Sequence, residues 1–164
     1  MCGGEHGAVS MTLRYRRRRR WIFPTIVAAC LLALFITIDD WSRDFTTSYA
    51  VMRETSEDPD LRPVVFERRA DEVSDAIQEA AGRIKNWEFI GEARVENTTM
   101  IVFERTSRVW RLKDDIVLRI EDLGDRCRLG GESRSRLDYG DLGQNPRNLR
   151  RILAELRIVL DDRG

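Results

Sequence analysis

Apolar and polar positions divide this chain into stretches of different period. From Trp21 to Ile38 it reads WIFPTIVAACLLALFITI, eighteen residues without a charge. At about 1.5 Å per residue such a helix covers roughly 27 Å, close to the hydrocarbon thickness of a bilayer. The pattern predicts one transmembrane helix. Pro24 falls in its first turn, where the missing N–H costs little, and Trp21 and Trp41 bracket the run at interfacial depths. Residues 39–63 then mix Asp, Ser, Thr, Glu and Pro with little apolar clustering, the composition of a tether. Folding is expected to begin near Val64.

Beyond that point the period changes twice. Val73, Ala76, Ile77, Ala80, Ala81 and Ile84 recur at helical spacing and predict an amphipathic helix over Asp71–Lys85, with Glu72 and Asp75 in the first turn, where the helix dipole favours acids. Short runs rich in β-branched and aromatic residues follow: Trp87–Ile90 and Ala93–Glu96, close enough to merge, then Thr98–Glu104. Ile116, Leu118 and Ile120 alternate with polar or outward positions, predicting a half-buried strand entered from an Asp114-Asp115 turn. If Arg126–Leu137 is extended, Cys127, Leu129, Ser133, Ser135 and Leu137 share one face. Arg126, Arg128, Arg134 and Arg136 then share the other, and Gly130-Gly131 would allow a bulge. After Gly140 and Gly143, Asn145 and Pro146 suit an N-cap and first helical position, and Leu149, Ile152, Leu153, Leu156 and Leu160 form the stripe of a second helix. The prediction is an α+β domain over 64–164, an antiparallel sheet of four or five strands with two flanking helices.

Charge adds topology to this outline. The formal net charge is zero, but residues 1–20 carry six arginines against Glu5, a net +5, while residues 39–164 carry 22 basic and 27 acidic groups, a net −5. Five consecutive arginines, Arg16 to Arg20, precede the apolar run and Asp39-Asp40 follow it. By the positive-inside rule, residues 1–20 form a basic cytoplasmic head and the domain lies outside the cytoplasm. The expected location is the cell inner membrane, single-pass, with a periplasmic or extracytoplasmic domain. A mildly acidic domain lacks the positive field on which nucleic-acid binding rests, so no nucleic-acid partner is expected.

Two processing alternatives remain open. Val27-Ala28-Ala29-Cys30 resembles a lipoprotein cleavage box, although further apolar residues follow Cys30. Met11, just ahead of the arginine run, resembles an alternative start, which would make residues 1–10 an extension of the gene. Cys2, Cys30 and Cys127 fall in head, apolar run and domain, so no disulfide framework is read. His6 is the sole histidine and lies in the head, across the membrane from the domain. Ser-His-Asp and Cys-His nucleophile systems are thereby excluded, and a metal site would have to use carboxylates or Cys127. No metal and no cofactor is expected.

Trp110 to Ile120 with its Asp114-Asp115, then Ser133-Arg-Ser-Arg136, then Asp141-Leu-Gly143-Gln-Asn145, resembles the bacterial domain-of-unknown-function family 1499 over about Val64 to Leu160. That family carries "phenylalanine, x, Asp-Asp, hydrophobic, x, x, Arg", then "Arg-Ser-x-Ser-Arg-x-Gly", then "Asp-x-Gly-x-Asn" before a C-terminal helix. This chain departs from it at Glu132 (usually arginine), Asp138 (usually glycine) and Leu112 (commonly aromatic). The resemblance implies no activity.

The motif has two readings. In the structural one, Asp141 pairs Arg136 or caps the loop, Asn145 caps the helix, the glycines permit positive φ, and Ser133 and Ser135 hydrogen-bond within the sheet. In the functional one, Arg134 and Arg136, with Arg119, form a fork for phosphate, carboxylate or a lipid headgroup, oriented by Ser133 and Ser135. An enzyme would need carboxylates such as Asp114, Asp115 or Asp141 as acid and base. The expectation is a non-catalytic binding or interaction module, with the lipid bilayer, an anionic small molecule or a membrane protein as partner. The alternative is a subunit of a membrane complex.

Overall fold

Apolar side chains at every second position build four long strands. The computed structural model describes residues 48–108, 111–136 and 143–163, together with Ile26, Ala28 and Ala29. The chain divides into two units, Met1–Asp39 and Asp40–Gly164. In the first, Ile26, Ala28 and Ala29 are helical and exposed. The rest of the expected transmembrane run, the basic head and residues 39–47 lie outside the described residues. Among the described residues no helix is long and apolar enough to cross a membrane.

The second unit is an α+β domain. Strands β3 (Trp87–Val95), β4 (Thr98–Thr106), β5 (Lys113–Asp122) and β6 (Cys127–Ser135) form the antiparallel meander expected from the alternation. Helices α1 (Ala70–Arg83) and α2 (Gln144–Asp162) lie against one face of it. Inward positions Ile101, Phe103, Ile116, Leu118, Ile120, Cys127 and Leu129 meet Val73, Ala76, Ile77 and Ala80 of α1 and Leu149, Ile152, Leu153, Leu156 and Val159 of α2, all at most 2 % exposed. The small side chains of α1 let it approach the sheet closely.

The sheet has six strands rather than four or five, because the expected tether is partly folded. β1 (Tyr49–Val51) and β2 (Val64–Phe66) lie end to end along the outer edge of β6, pairing with Glu132–Arg134 and with Cys127–Leu129 respectively. Folding therefore begins by Tyr49, not near Val64. The intervening excursion is tied down at several points: Met52 N–H donates to the Gly131 carbonyl (2.8 Å), Leu61 is buried, and Asp58 pairs with Arg150 of α2. Three-residue strands carry too few positions for alternation to register, and the polar composition belongs to a segment that packs through Ala50, Met52 and Leu61 alone.

Two local expectations are also corrected. The β5–β6 register runs unbroken past Gly130-Gly131, and the irregularity sits instead in β3, between Phe89 and Gly91. Gly131 is required by packing: a Cβ there would come within 2.8 Å of Leu118 Cδ2 and 3.4 Å of Leu149 Cδ2 and Met52 Sδ. Nor does Asn145 cap α2. Gly143 occupies the N-cap at φ 75°, in the left-handed region, and Asn145 is fully buried one position inside the helix.

Leu118 Cδ2 would have to give way beside a position that Leu149 and Met52 also crowd. Gly131→Ala should therefore lower unfolding free energy by about 1–2 kcal/mol, whereas Gly130→Ala, with nothing within 4 Å, should change it by less than about 0.5 kcal/mol. Urea melts of the two variants check the contrast.

Candidate functional site

The pleat of β6 sends the serines and arginines of Ser133-Arg-Ser-Arg136 to opposite sides of the sheet. Ser133 and Ser135 face α2, while Arg134 and Arg136 are exposed on the other face. The two halves of the expected anion fork are therefore not brought together.

On the helix side the serines enter a closed ring. Ser133 Oγ donates to Asn145 Oδ1 (2.6 Å), Asn145 Nδ2 donates to Ser135 Oγ (3.2 Å), and Ser135 Oγ donates to Asp114 Oδ1 (2.7 Å). Asn148 Nδ2 donates to Asp114 Oδ2 (3.2 Å) and to Ser133 Oγ (3.1 Å), completing the circuit. The remaining Asn145 N–H reaches the Ser48 carbonyl (2.8 Å), and Gln144 donates to Asn148 Oδ1 (2.8 Å). All five ring residues are buried. Arg105 approaches Asp114 Oδ2 at 2.6 Å and supplies the counter-charge. Among the described residues no buried side-chain polar atom lacks a partner. A ring of this kind contributes about 1 kcal/mol per bond when complete, and costs more than that when one member is removed and its neighbours stay buried and unpaired.

On the open side the arginines meet acids. Arg136 grips Asp115 with both Nε (3.0 Å) and a terminal nitrogen (2.7 Å), and also reaches Glu104 (2.8 Å). Lys113 bonds the other Glu104 oxygen at 2.5 Å. The Lys113 hydrogen bond, helped by the charges of Lys113 and Arg136, holds the Glu104 carboxyl below the usual range, while the bond to Asp115 raises Arg136. Arg119 pairs with Glu132 at 2.8 Å. Glu132 stands where the related motif usually carries arginine, so in this chain an acid replaces a second cation beside Arg119. Arg134 alone of the three expected fork residues is exposed without a hydrogen bond or ion pair among the described residues. It borders a cleft of ≈ 370 Å³ with Tyr49, Asp115, Val117, Glu132 and Ser133.

With this geometry the motif can be placed in a family. The description "Protein of unknown function (DUF1499)" matches residues 40–156. The chain belongs to that family. The DUF1499 match begins 24 residues before Val64 and so takes in β1 and the excursion as well as the meander. No curated protein matches the chain. The family motif accordingly has an inner half, Asp114, Ser133, Ser135 and Asn145, that joins sheet to helix, and an outer half, Asp115, Arg119 and Arg136, that lies on the open face. Asp141 lies outside the described residues.

Sequence reasoning missed Asn148, Arg105 and Tyr49. Asn148 stands three residues after Asn145, a spacing that puts both on one side of a helix. Arg105 continues the inward alternation of Ile101 and Phe103, which was visible in the strand pattern. Tyr49 left no signal, since its strand is three residues long. Cys127 is buried in the core, and desolvation, reinforced by Asp122 and Glu72, pushes its thiol up to about 11. It behaves as a small apolar side chain.

A carboxyl whose folded pKa is depressed adds stability above its unfolded pKa and loses it as pH falls through the folded value. Glu104 therefore stabilises the domain at neutral pH, and that contribution disappears as pH falls through and below the ordinary carboxylate range. Glu104→Gln should flatten the acid limb of a stability-against-pH curve relative to the parent and lower stability at pH 7. Denaturant melts between about pH 3 and 7 read both effects.

Proposed function

We propose that this DUF1499 chain is a membrane-anchored, extracytoplasmic binding module whose ligand surface is the open face of the sheet. The anchor is the charge-free run Trp21–Ile38 behind five arginines, which fits a single span with the N-terminus in the cytoplasm. The binding reading is carried by Arg134. Among the described residues lining its cleft it is the only cation, and it makes no ion pair there, since Asp115, opposite it in the sheet, and Glu132 are already held by Arg136 and Arg119. A guanidinium in that position takes a carboxylate or phosphate, with Tyr49 and Val117 offering apolar contact to the rest of the ligand.

This narrows the fork reading of the motif. Arg134 is the ligand contact, Arg136 and Arg119 hold the cleft walls in place, and Ser133 and Ser135 work on the other side of the sheet. Two of the carboxylates that an acid–base mechanism would draw on are engaged, Asp114 in the buried ring and Asp115 by Arg136, and the third, Asp141, lies outside the described residues.

A second reading, a subunit of a membrane complex, draws on the apolar rim of the same face. Tyr49 and Val65 at one edge and Val95 at the other are each about half exposed and project away from the helices.

Full-length chain purified from membranes, with co-purifying small molecules and proteins identified by mass spectrometry, tests both. Arg134→Glu should reduce the co-purified anionic species by more than about tenfold while the thermal melt stays unchanged, as expected for loss of a charge-assisted contact. Unchanged capture by that variant sinks the Arg134 assignment. Release of the parent chain from membranes by alkaline carbonate sinks the anchor.

A further inference from the structure

The domain is electrically polar along its strands. At the end where the chain enters, the sheet register brings together Lys85 and Glu88 at the start of β3, Glu104 and Arg105 at the end of β4, Arg108 and Arg111 in the connection to β5, Lys113 to Asp115, and Arg134 and Arg136. Among the described residues of 85–88, 104–115 and 134–136 there are seven basic side chains, Lys85, Arg105, Arg108, Arg111, Lys113, Arg134 and Arg136, against four acidic ones, a net +3. The opposite end, residues 66–72, 94–98 and 120–128, carries seven acidic and five basic side chains, a net −2. The unit is acidic in sum, yet the described residues of its entry end are positive.

Among the described residues the acids at that end are largely spent. Glu104 is held by Lys113 and Arg136, Asp115 by Arg136, and Asp114 by Arg105 inside the ring, leaving Glu88 exposed. Lys85, Arg108, Arg111 and Arg134 are exposed and without ion pairs among the described residues. They spread from β3 to β6, three strand spacings of about 4.8 Å, or roughly 14 Å. That is the width of several lipid headgroups rather than of one small anion.

Chain length leaves this end within reach of the bilayer. From Ile38, the last residue of the apolar run, to Tyr49, the first of β1, there are eleven residue steps, which cover at most ~38 Å however they are arranged. Tyr49 itself sits beside Arg134 in the sheet. The acidic end lies about 30 Å further along the strands.

We propose that the basic entry end of the domain docks on the anionic headgroups of the bilayer that holds the chain, using Lys85, Arg108 and Arg111 as its unpaired contacts. This rests on the anchored reading of Trp21–Ile38. Docking fixes the orientation of the sheet, with strands standing away from the membrane and the acidic end outermost, and leaves the open face accessible from the side. Each unpaired cation near an anionic surface gains about fivefold in the docked-to-undocked ratio, and the gain is screened by salt.

The test uses full-length protein reconstituted in vesicles, either neutral phosphatidylcholine or with about 30 % phosphatidylglycerol added. A photo-crosslinking residue replaces Glu88 at the entry end or Leu123 at the far end, and lipid adducts are counted. In anionic vesicles the Glu88 position should give about tenfold more adduct than the Leu123 position. That excess should vanish in neutral vesicles, in ~0.5 M salt and in the Lys85→Gln, Arg108→Gln, Arg111→Gln variant. Circular dichroism shows whether the variant folds, and the lipid and salt arms need no variant at all. Equal labelling of the two ends, or an excess indifferent to lipid charge, overturns the docking while the anchor stands. Displacement by millimolar inorganic phosphate with no lipid adduct would mean that a free anion is bound instead. Release of the chain from the vesicles by alkaline carbonate overturns the anchor and the docking together.

Discussion

Asp114 is a carboxylate placed between a sheet and a helix, and the arrangement of the domain follows from satisfying it. The side chain is 3 % exposed, so it needs both a counter-charge and enough donors for its two oxygens. Arg105 on β4, Ser135 on β6 and Asn148 on α2 supply them, and Ser133 and Asn145 join those donors to one another. Three strands and a helix from distant parts of the sequence thus converge on one carboxylate. The same ring reaches the Ser48 carbonyl, so the chain's entry into the sheet is fixed by the group that fixes α2. Apolar packing alone tolerates a helix sliding by a residue or two, but a ring of paired donors and acceptors does not.

This explains why the serine half of the DUF1499 motif, which reads so readily as part of a binding site, is turned away from the arginines. Serine and asparagine next to arginine suggest a ligand because each can donate to an anion. In this fold the donors turn inward and the cations turn outward, on the single rule that neighbouring positions of a strand face opposite ways. The outward cations then divide again: among the described residues Arg136 and Arg119 are ion-paired, with Asp115 and Glu132, and Arg134 is not, although Asp115 stands opposite it in the sheet. A residue's chemistry was legible from its type, and its availability was decided by the side of the sheet and the partner across it.

The meander and both helices could be read from the chain because each is long enough for its period to show: nine or ten residues of alternation in β4, β5 and β6, fourteen and nineteen residues of helical spacing in α1 and α2. The face assignments on β6 followed from the same alternation. What could not be read was set by contacts between segments far apart in sequence. β1 and β2 exist because β6 has an open edge and Asp58 finds Arg150, ninety-two residues away. Gly131 is glycine because Leu118, Leu149 and Met52 crowd it, which looks in the sequence like permission for a bulge. Asn145 looks like a cap, being polar and followed by proline, and the register of α2 against Ser133 turns it inward. The pairing of the fork's arginines was likewise a matter of partners: nothing in the order of residues announces that Glu132 lies beside Arg119.

The claim on which these points depend is that the inner half of the motif acts as one coupled lock between sheet and helix. A double-mutant cycle on Ser135→Ala and Asn148→Ala, read by chemical denaturation, measures it most directly, because the two side chains do not bond each other and are joined through Asp114. A coupled ring predicts that each single change costs about 2 kcal/mol and that the pair costs less than their sum by about 1 kcal/mol. Single changes each within about 0.5 kcal/mol of the parent, or costs that add to within about 0.3 kcal/mol, would contradict it.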